Sequence, residues 1–291
     1  METEKQVLGE FEAKYIPLID KFLSENIVKS STNKLLIDSM SYSLMAGGKR
    51  LRPLLSLAVL DSYGVAINQE LIKVISAVEL IHTYSLIHDD LPAMDNSDYR
   101  RGKLANHVKF GDDIATLAGD GLLTLAFEWI ADSSLNSAVK VDLINQLARS
   151  AGPCGMVAGQ VIDVSSEDSS LTLEQLQTLD QKKTGELFYY CVVAGAMIAK
   201  VSDHDLEQLK KFAWSFGVAF QIYDDILDNP ATGSDEDVEK NTYVNLLGIE
   251  NAKDKLAEII KQGENAVDNL EDAKVTVILK SFFTYFEIGK R

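Results

Sequence analysis

The stretch QELIKVISAVELIHTYSLIHDD, Gln69–Asp90, decides the fold, because its apolar residues recur at helical spacing over about six turns. Apolar positions cover most of the helix circumference, which is typical of a helix buried inside a protein. Two carboxylates, Asp89 and Asp90, stand where the apolar run ends. Because buried charges need partners or metal ions, this helix predicts a functional site at its carboxyl end.

Similar helical periodicity covers most of the remaining chain, whereas alternating strand patterns are scarce. The other segments with this pattern are 33–48, 113–131, 139–150, 173–200, 203–228 and 251–270. No linker, low-complexity tract or shift in composition marks a domain boundary. We therefore predict an all-α fold in which a single domain, residues 1–291, forms one large helical bundle.

The chain carries 44 acidic residues against 28 lysines and arginines, a formal net charge of -16. This excess argues against nucleic acid or an anionic membrane as a general partner and favours divalent cations. The two cysteines are isolated, so no disulfide framework is indicated. The N-terminus lacks the apolar core of a signal peptide, and the longest apolar run, Leu187–Ala199, is shorter than the ~20 residues that span a bilayer. We expect a buried helix there and a cytoplasmic protein without a membrane span.

A second acidic cluster, DDILD, ends another apolar segment and contains Asp224, Asp225 and Asp228. Asp224 and Asp228 are four residues apart, so a helix places them on one face. This pair suits Mg²⁺, which takes a few carboxylates and completes its shell with water and phosphate oxygens. The sequence thus predicts a metal-binding position at the end of this helix.

The first cluster, DDLPAMD, contains Asp89, Asp90 and Asp95, and its spacing does not suit a continuous helix. Asp95 would point about 120° away from Asp89, at about 100° per residue. Pro92 disfavours helical geometry at Leu91 and removes a backbone donor, so we expect the helix to end there. The following loop can then return Asp95 towards Asp89.

Either acidic cluster alone could be a solvated helix face. Two such clusters, each at the end of a long apolar helix, are better explained by a shared function, because carboxylates on buried helices need partners. We therefore predict that they face each other across a cavity, with metal ions between them.

The segment GGKRLRP, Gly47–Pro53, adds a candidate anion site, because glycines let the backbone approach a ligand while Lys49 and Arg52 offer donors to phosphate. The alternative is an ordinary helix end with solvated bases. His82 alone would most often be a satisfied core histidine, but it lies seven residues before Asp89, on nearly the same helix face. The other polar candidates are Arg100, Arg101, Lys183, Thr184, Gln221 and Lys240.

These groups predict two anion sites that act differently. Metal-bound carboxylates activate a diphosphate as a leaving group, because cations neutralise the charge that develops on it. A basic cluster without metals holds a diphosphate that stays in place. Two diphosphate substrates with different fates follow as a hypothesis, with their hydrocarbon parts between the apolar helices.

The motifs GGKRLRP, LIHTYSLIHDDLPAMD, RRGK, KKTGELF and FQIYDDILD resemble, in the same order, those of the trans-isoprenyl diphosphate synthase (polyprenyl synthetase) family. The likeness extends from about residue 40 to residue 248 and is greatest to the bacterial farnesyl diphosphate synthases. It implies the isoprenoid synthase fold, an all-helical bundle around a deep central cavity, and a homodimer.

The resemblance also implies the chemistry. An allylic diphosphate, dimethylallyl or geranyl diphosphate, is bound through three Mg²⁺, with Mn²⁺ as a substitute, and ionises to a carbocation. The double bond of isopentenyl diphosphate attacks this cation, and loss of a proton gives farnesyl diphosphate. The released diphosphate is the family's usual general base, so no protein base is assigned.

By match of motif, the resemblance implies a role for each candidate residue. The implied metal ligands are Asp89, Asp95 and Asp224, and the supporting acids are Asp90, Asp225 and Asp228. The implied ligands of isopentenyl diphosphate are Gly48, Lys49, Arg52, His82 and Arg101. The implied ligands of the allylic diphosphate are Arg100, Lys183, Thr184, Gln221 and Lys240, and Lys183 also stands among the catalytic residues.

Product length is implied by the same resemblance. The family's short-chain bacterial members have two extra residues in the first acidic motif and an aromatic residue five positions before it. This chain has that spacing, and its aromatic residue is Tyr84, followed by Ser85. Tyr84 would then close the cavity floor and stop growth near fifteen carbons. The alternative is that Tyr84 is an ordinary core residue with a hydrogen bond at its tip.

One segment departs from the family pattern. After the second acidic motif, the family usually has a longer loop with a Gly-Lys pair that helps to cover the phosphates. Residues 229–239 form a shorter, acidic segment with no lysine before Lys240. We therefore expect weaker phosphate closure and a higher Mg²⁺ requirement than in relatives.

Three alternatives stay open at this point. A geranyl or geranylgeranyl diphosphate synthase differs only in product length. A terpene cyclase usually has a mixed Asn/Ser/Glu second motif and lacks the second basic pocket, so DDILD and GGKRLRP argue against it. A non-catalytic binding subunit usually loses acidic motifs, and both are intact in this chain.

Overall fold

The computed structural model describes residues 3–166, 169–228, 241–271 and 273–288. Most of these residues are α-helical, which confirms the predicted all-α fold. The helices are α1 (Glu4–Ile27), α2 (Lys34–Leu44), α3 (Leu51–Ser62), α4 (Gln69–Asp89), α5 (Asn106–Phe110), α6 (Asp112–Ala131), α7 (Ser137–Ala151), α8 (Met156–Ser165), α9 (Leu173–Asp180), α10 (Glu186–Ala199), α11 (Asp203–Leu227), α12 (Tyr243–Leu247), α13 (Ile249–Asp268) and α14 (Ala273–Ser281). A π-helical turn, Gln181–Gly185, joins α9 to α10, and a 3₁₀ turn, Phe282–Phe286, follows α14.

The strands of the described chain form one short antiparallel hairpin, β1 (Tyr99–Arg100) and β2 (Lys103–Leu104). The turn between them is tight, because Arg101 and Gly102 adopt positive φ angles of 53° and 71°. Strands of two residues carry no alternating pattern, so the sequence contains no strand signal at this position.

The chain divides into two compact units. The N-terminal unit comprises Glu10–Leu57 and Ala66–Asn145, and the C-terminal unit comprises Met1–Gly9, Ala58–Val65 and Gln146–Arg291. The first acidic motif and GGKRLRP belong to the N-terminal unit, whereas KKTGELF and DDILD belong to the C-terminal unit. That the whole chain forms a single domain stays a prediction.

Helix α4 is central to the N-terminal unit and packs against α6 and α2. Asn68 caps its start, because the Asn68 side chain accepts a hydrogen bond from Leu71 N at 2.9 Å. Most of its side chains are buried, as the apolar circumference predicts. Small residues on α6, Ala118 and Gly119, face this core and allow a close approach of the two helices.

Helix α11 is central to the C-terminal unit and packs against α10 and α13. A Cβ at Gly217 of α11 would lie 2.8 Å from Gly185 Cα, so α11 passes very close to the π turn. This approach places α11 beside Lys183 and Thr184, which the π turn carries. Helix α10 is buried along most of its length, as predicted for Leu187–Ala199.

Several features differ from the sequence prediction, and two of them concern a break or a proline inside a helical segment. The helical segment predicted over 173–200 is interrupted by the π turn, which has no local sequence signature. Helix α1 is absent from the predicted segments, and Pro17 lies inside it. Pro17 removes one helical hydrogen bond, but full burial of Ile19 and Leu23 offsets that loss.

Two described helices, α4 and α6, are long and apolar enough to cross a bilayer by length and composition. Core helices of soluble proteins satisfy the same criterion, and these two pack against each other inside the N-terminal unit. Their length and composition are therefore weak evidence for a membrane span.

Candidate active site

The first acidic motif lies at the carboxyl end of α4, which ends at Asp89. The backbone N of Asp95 donates a hydrogen bond to the carbonyl of Asp89 at 2.9 Å, which confirms that the loop after Pro92 turns back. Asp89 is partly exposed and Asp95 is exposed, so a cation can reach this end of the helix. The loop therefore brings two candidate metal ligands together.

Asp90 differs from these two acids because it is buried, with 2% of its surface exposed. Arg100 Nε donates a hydrogen bond to Asp90 Oδ1 at 2.9 Å, and Arg100 Nη2 donates to the same oxygen. Burial raises the pKa of Asp90, while the hydrogen bond and charge of Arg100 oppose this rise. Asp90 therefore fixes strand β1, and Arg100 with it, against the end of α4.

Arg101 links the hairpin to the segment GGKRLRP. Its Nη1 donates a hydrogen bond to the carbonyl of Gly47. A Cβ at Gly48 would lie 2.8 Å from Arg101 Nη1, and Gly48 has a φ of 130°, so a side chain at this position would be strained and would displace the arginine. Lys49, the next residue, is exposed.

His82 lies on α4 near Arg52 and Arg101. We use the name basic cluster for these three residues together with Lys49, which the motif assigns to the same substrate. Burial lowers the pKa of His82 well below its usual value, and the charges of Arg52 and Arg101 lower it further. Burial also lowers the pKa of Arg101, and the charges of Arg50 and Arg100 lower it further. Glu79 offsets part of this positive charge. Crowded like charges are unfavourable, so the basic cluster is suited to binding an anion.

The second acidic motif lies at the carboxyl end of α11, where Asp228 is the cap residue. The backbone N of Asp228 donates a hydrogen bond to the carbonyl of Asp224 at 2.9 Å, so the helical spacing continues through this pair. Asp224 and Asp228 therefore lie on one helix face, as predicted. Asp224 is partly exposed and Asp228 is exposed.

Asp225 accepts hydrogen bonds on both of its oxygens. Gln221 Nε2 donates to Asp225 Oδ1 at 3.1 Å, and the backbone N of Tyr243 donates to Asp225 Oδ2 at 2.8 Å. Thr184 Oγ1 donates in turn to Gln221 Oε1 at 3.2 Å. One carboxylate thereby connects the π turn, α11 and the start of α12.

Hydrogen bonds of the Asn241 side chain fix the backbone just before α12. Its Nδ2 donates hydrogen bonds to the carbonyls of Ser166 and Ser169 at 3.1 and 2.9 Å, and its Oδ1 accepts one from Leu171 N at 2.8 Å. Lys240 and the acidic segment before it lie outside the described residues, so the roles assigned to them stay predictions.

Two acids that were not selected from the sequence also belong to this region of the C-terminal unit. Asp163 on α8 forms an ion pair with Lys183. Asp180, 4% exposed, precedes the π turn, and burial raises its pKa well above the usual value, with Asp225 and Asp163 raising it further. Their sequence context gives no signal, because each acquires its environment only from neighbours that are distant along the chain.

Tyr84 is a buried residue of α4, with 7% of its surface exposed. Burial raises the pKa of its hydroxyl to about 12, and the charge of Asp89 adds to this rise. Its ring meets the His88 ring edge-on, with 5.6 Å between centroids. Ser85 donates a hydrogen bond to the carbonyl of His82 at 2.9 Å. The role of Tyr84 and Ser85 in product length stays a prediction.

The His88 ring is seated against α6 at Gly119. Its Nε2 lies 3.1 Å from the carbonyl oxygen of Thr116, and a Cβ at Gly119 would lie 2.0 Å from the same nitrogen. The missing side chain of Gly119 therefore leaves the space that this imidazole fills beside Tyr84.

Gly119→Ala is expected to lower the free energy of unfolding by about 1–3 kcal/mol, because the added methyl group must displace the His88 ring. Urea unfolding measures this change. Gly121→Ala is the control on the same helix, since its Cβ would first meet the flexible Met40 side chain, 3.1 Å from Sδ. An equal loss of unfolding free energy in both variants would show that displacement of the His88 ring is not the cause.

The carboxylates of the two motifs fit a hard cation. Within the described ranges, no three His, Cys, Asp or Glu side chains gather as a complete metal site. Mg²⁺ does not require one, since it binds through one or two carboxylates and completes its shell with water and substrate phosphates. Backbone hydrogen bonds bring Asp89 close to Asp95 and Asp224 close to Asp228, and each of these four side chains is at least partly exposed.

Known proteins resemble this chain over most of its length. Residues 33–277 match the model of the polyprenyl synthetase family. The chain is 46% identical to the farnesyl diphosphate synthase of Bacillus subtilis (strain 168) over 262 residues, which cover 84% of this chain and 88% of the relative. It is 45% identical to the farnesyl diphosphate synthase of Micrococcus luteus over 258 residues, which cover 86% of this chain and 88% of the relative.

A solved structure agrees with these sequence matches. The apo FPP/GFPP synthase of Zymomonas mobilis has 35% sequence identity and a TM-score of 0.83, with 97% of this chain and 96% of that chain covered. This likeness confirms the all-α isoprenoid synthase fold. By its family match, its curated relatives and its fold, the chain belongs to the polyprenyl synthetase family.

Proposed function

We propose that the chain condenses isopentenyl diphosphate with dimethylallyl or geranyl diphosphate and releases farnesyl diphosphate and diphosphate. The observation that carries this proposal is that α4 bears both His82, which lies among arginines, and Asp89, which opens the first acidic motif. One diphosphate can be held by bases alone, and the other through cations. The chain is thus a prenyltransferase, as its curated relatives are.

In this proposal Asp89, Asp95 and Asp224 hold Mg²⁺, three ions in each site, and Mn²⁺ can substitute. When bound, Mg²⁺ neutralises the charge that develops on the departing diphosphate. Asp90 and Asp225 contribute through their hydrogen bonds to neighbouring segments, because those bonds occupy one oxygen of Asp90 and both oxygens of Asp225. Each motif thus combines acids that face a cation with one that fixes the surrounding backbone.

The basic cluster holds the diphosphate of isopentenyl diphosphate, which is not cleaved. Its arginines can bind phosphate oxygens with two parallel hydrogen bonds. The lowered pKa of His82 leaves a neutral ring with one N–H to donate. Holding this anion without a metal leaves its carbon–oxygen bond intact while the double bond is oriented for attack.

The reaction breaks the carbon–oxygen bond of the allylic diphosphate, and the electron pair leaves with the diphosphate. The double bond of isopentenyl diphosphate supplies the electrons of the new carbon–carbon bond. A proton is then lost, and the released diphosphate accepts it. The residues assigned to the leaving diphosphate are Arg100, Lys183, Thr184, Gln221 and Lys240.

A homodimer and a cytoplasmic location complete the proposal, and the family resemblance supports both. Tyr84, with Ser85 beside it, limits the product to fifteen carbons. The higher Mg²⁺ requirement expected from the acidic segment 229–239 is part of the same proposal.

The test is a product assay with the purified protein. Isopentenyl diphosphate is incubated with dimethylallyl, geranyl or farnesyl diphosphate and Mg²⁺, and the chain lengths formed are identified by chromatography. We expect farnesyl diphosphate from the first two starters and no extension of the third. Chelation of Mg²⁺ should stop the reaction, and its return should restore it. No condensation with any starter would overturn the proposed activity, and a twenty-carbon main product would overturn the product assignment alone.

A further inference from the structure

Arg50, which was not selected as a site residue from the sequence, is the most completely enclosed base of the GGKRLRP segment. It is 4% exposed, although it stands next to the exposed Lys49. Its Nε donates a hydrogen bond to Asp20 Oδ1 at 2.8 Å, and its Nη1 donates to Glu79 Oε2 at 2.9 Å. Its Nη2 donates to the carbonyl of Leu44 at 2.9 Å. The guanidinium therefore connects α1, α4 and the end of α2.

The backbone around Arg50 is unusual as well. Gly47 and Gly48 have φ angles of 101° and 130°, and Arg50 itself has a φ of 52°. A non-glycine residue keeps a left-handed conformation only where its surroundings hold it there. The three hydrogen bonds of the Arg50 side chain are the interactions that hold it.

The position of Glu79 couples this network to the basic cluster. Glu79 is buried and lies one turn before His82 on α4. Its charge also favours the protonated form of Arg101, against the burial that lowers the pKa of that arginine. The same buried carboxylate thus pairs with Arg50 and compensates part of the positive charge of the cluster.

We propose that Arg50 is a positioning residue for isopentenyl diphosphate: its buried network with Asp20 and Glu79 holds the turn Gly47–Arg52, so that Lys49, Arg52 and Arg101 converge on one diphosphate. The identity of that substrate rests on the proposed function. The positioning itself rests on the hydrogen bonds and backbone angles of Arg50.

The variants are chosen to distinguish a role of Arg50 in stability alone from a role in positioning the substrate-binding bases. Arg50→Met leaves Glu79 as a buried charge without its main partner, so this variant alone is expected to fold poorly. Arg50→Met/Glu79→Gln removes both charges, and its melting temperature should return towards that of the wild type. Arg50→Lys keeps the charge but cannot make three directed hydrogen bonds. The control is Lys34→Met/Asp38→Asn, which removes an exposed ion pair of α2.

The kinetic readout compares the two substrates. In Arg50→Met/Glu79→Gln we expect the KM for isopentenyl diphosphate to rise about 10- to 100-fold. This is the effect of losing one charge-assisted hydrogen bond to the diphosphate, because the turn would no longer direct its bases at the substrate. The KM for geranyl diphosphate and kcat at saturation should change less than about threefold, because ground-state binding of one substrate is affected. Arg50→Lys should show a smaller rise in the same KM. The control variant should resemble the wild type.

A binding readout keeps this inference separate from the proposed function. Calorimetric titration with inorganic pyrophosphate in the presence of a chelator reports on anion binding without metals. We expect binding by the wild type and the control, a loss of at least about 10-fold in affinity in Arg50→Met/Glu79→Gln, and a smaller loss in Arg50→Lys. If the protein failed to condense isoprenoids but showed these pyrophosphate affinities, the result would support positioning by Arg50 and overturn the proposed reaction. Unchanged pyrophosphate binding, or equal rises in both KM values, would overturn the role of Arg50.

Discussion

Asp89→Asn is expected to lower kcat about 10²- to 10³-fold, because it removes a charge that holds the cations stabilising the leaving diphosphate. The substitution keeps the size of the side chain and leaves the backbone contact that closes the loop in place. The loop is closed by a hydrogen bond from Asp95 N to the carbonyl of Asp89, which does not involve the Asp89 side chain. Steady-state kinetics over a series of Mg²⁺ concentrations measures the effect, and the apparent Mg²⁺ affinity should fall with kcat.

Asp98→Asn is the control for this prediction, because Asp98 is an exposed acid in the segment that follows the motif. It removes the same charge a few residues away, and we expect rates close to those of the wild type. Circular dichroism checks that both variants keep their helix content. Equal losses of kcat in both variants would mean that the negative charge of this region matters and that Asp89 is not a specific metal ligand. A fully active Asp89→Asn would remove this acid from the set of metal ligands.

Tyr84→Ala is expected to change the main product from fifteen carbons to twenty or more. Tyr84 is buried and its ring lies against His88, so its removal opens space where the proposal places the end of the growing chain. The truncation should also cost about 3–5 kcal/mol of stability, as for other buried aromatic residues. Product analysis with geranyl diphosphate as the starter measures the change in length, and assays at low temperature keep the variant folded.

Tyr84→Phe keeps the ring and removes only the hydroxyl, so it should still give fifteen carbons. If Tyr84→Ala also stops at fifteen carbons, Tyr84 is ordinary core and another residue limits the product. The stability loss would persist in that case, because it depends on burial alone. The two readouts therefore test the specificity role and the packing role independently.

Local chemistry explains why the first acidic motif was predictable. The apolar period of α4 marks a buried helix, and Pro92 marks its end, so the return of Asp95 to Asp89 follows from neighbouring residues alone. The pairing of Asp224 with Asp228 follows from helical spacing in the same way. Both outcomes depend on interactions between residues that are close in sequence.

Other features were not predictable because they depend on tertiary partners. From the sequence alone, Arg50 is indistinguishable from a solvent-exposed base. Only its contacts with Asp20 and Glu79, about 30 residues away on either side, show that it is buried. The sequence assigns Asp90 only as a supporting acid of the first motif, and the contact with Arg100 shows what it supports. The π turn carries no sequence signature, since one extra residue in a helix depends on how the neighbouring helix packs.

The contacts of Asn241 and Asp225 lie on either side of the acidic segment and have a consequence for it. Asn241 is fastened to the carbonyls of Ser166 and Ser169, and the nearby backbone N of Tyr243 is fastened to Asp225. The segment 229–240 therefore connects two anchored ends, Asp228 and Asn241. Because these hydrogen bonds are made by residues outside 229–240, they hold the start of α12 against α11 and against the end of α8 without a contribution from the acidic side chains.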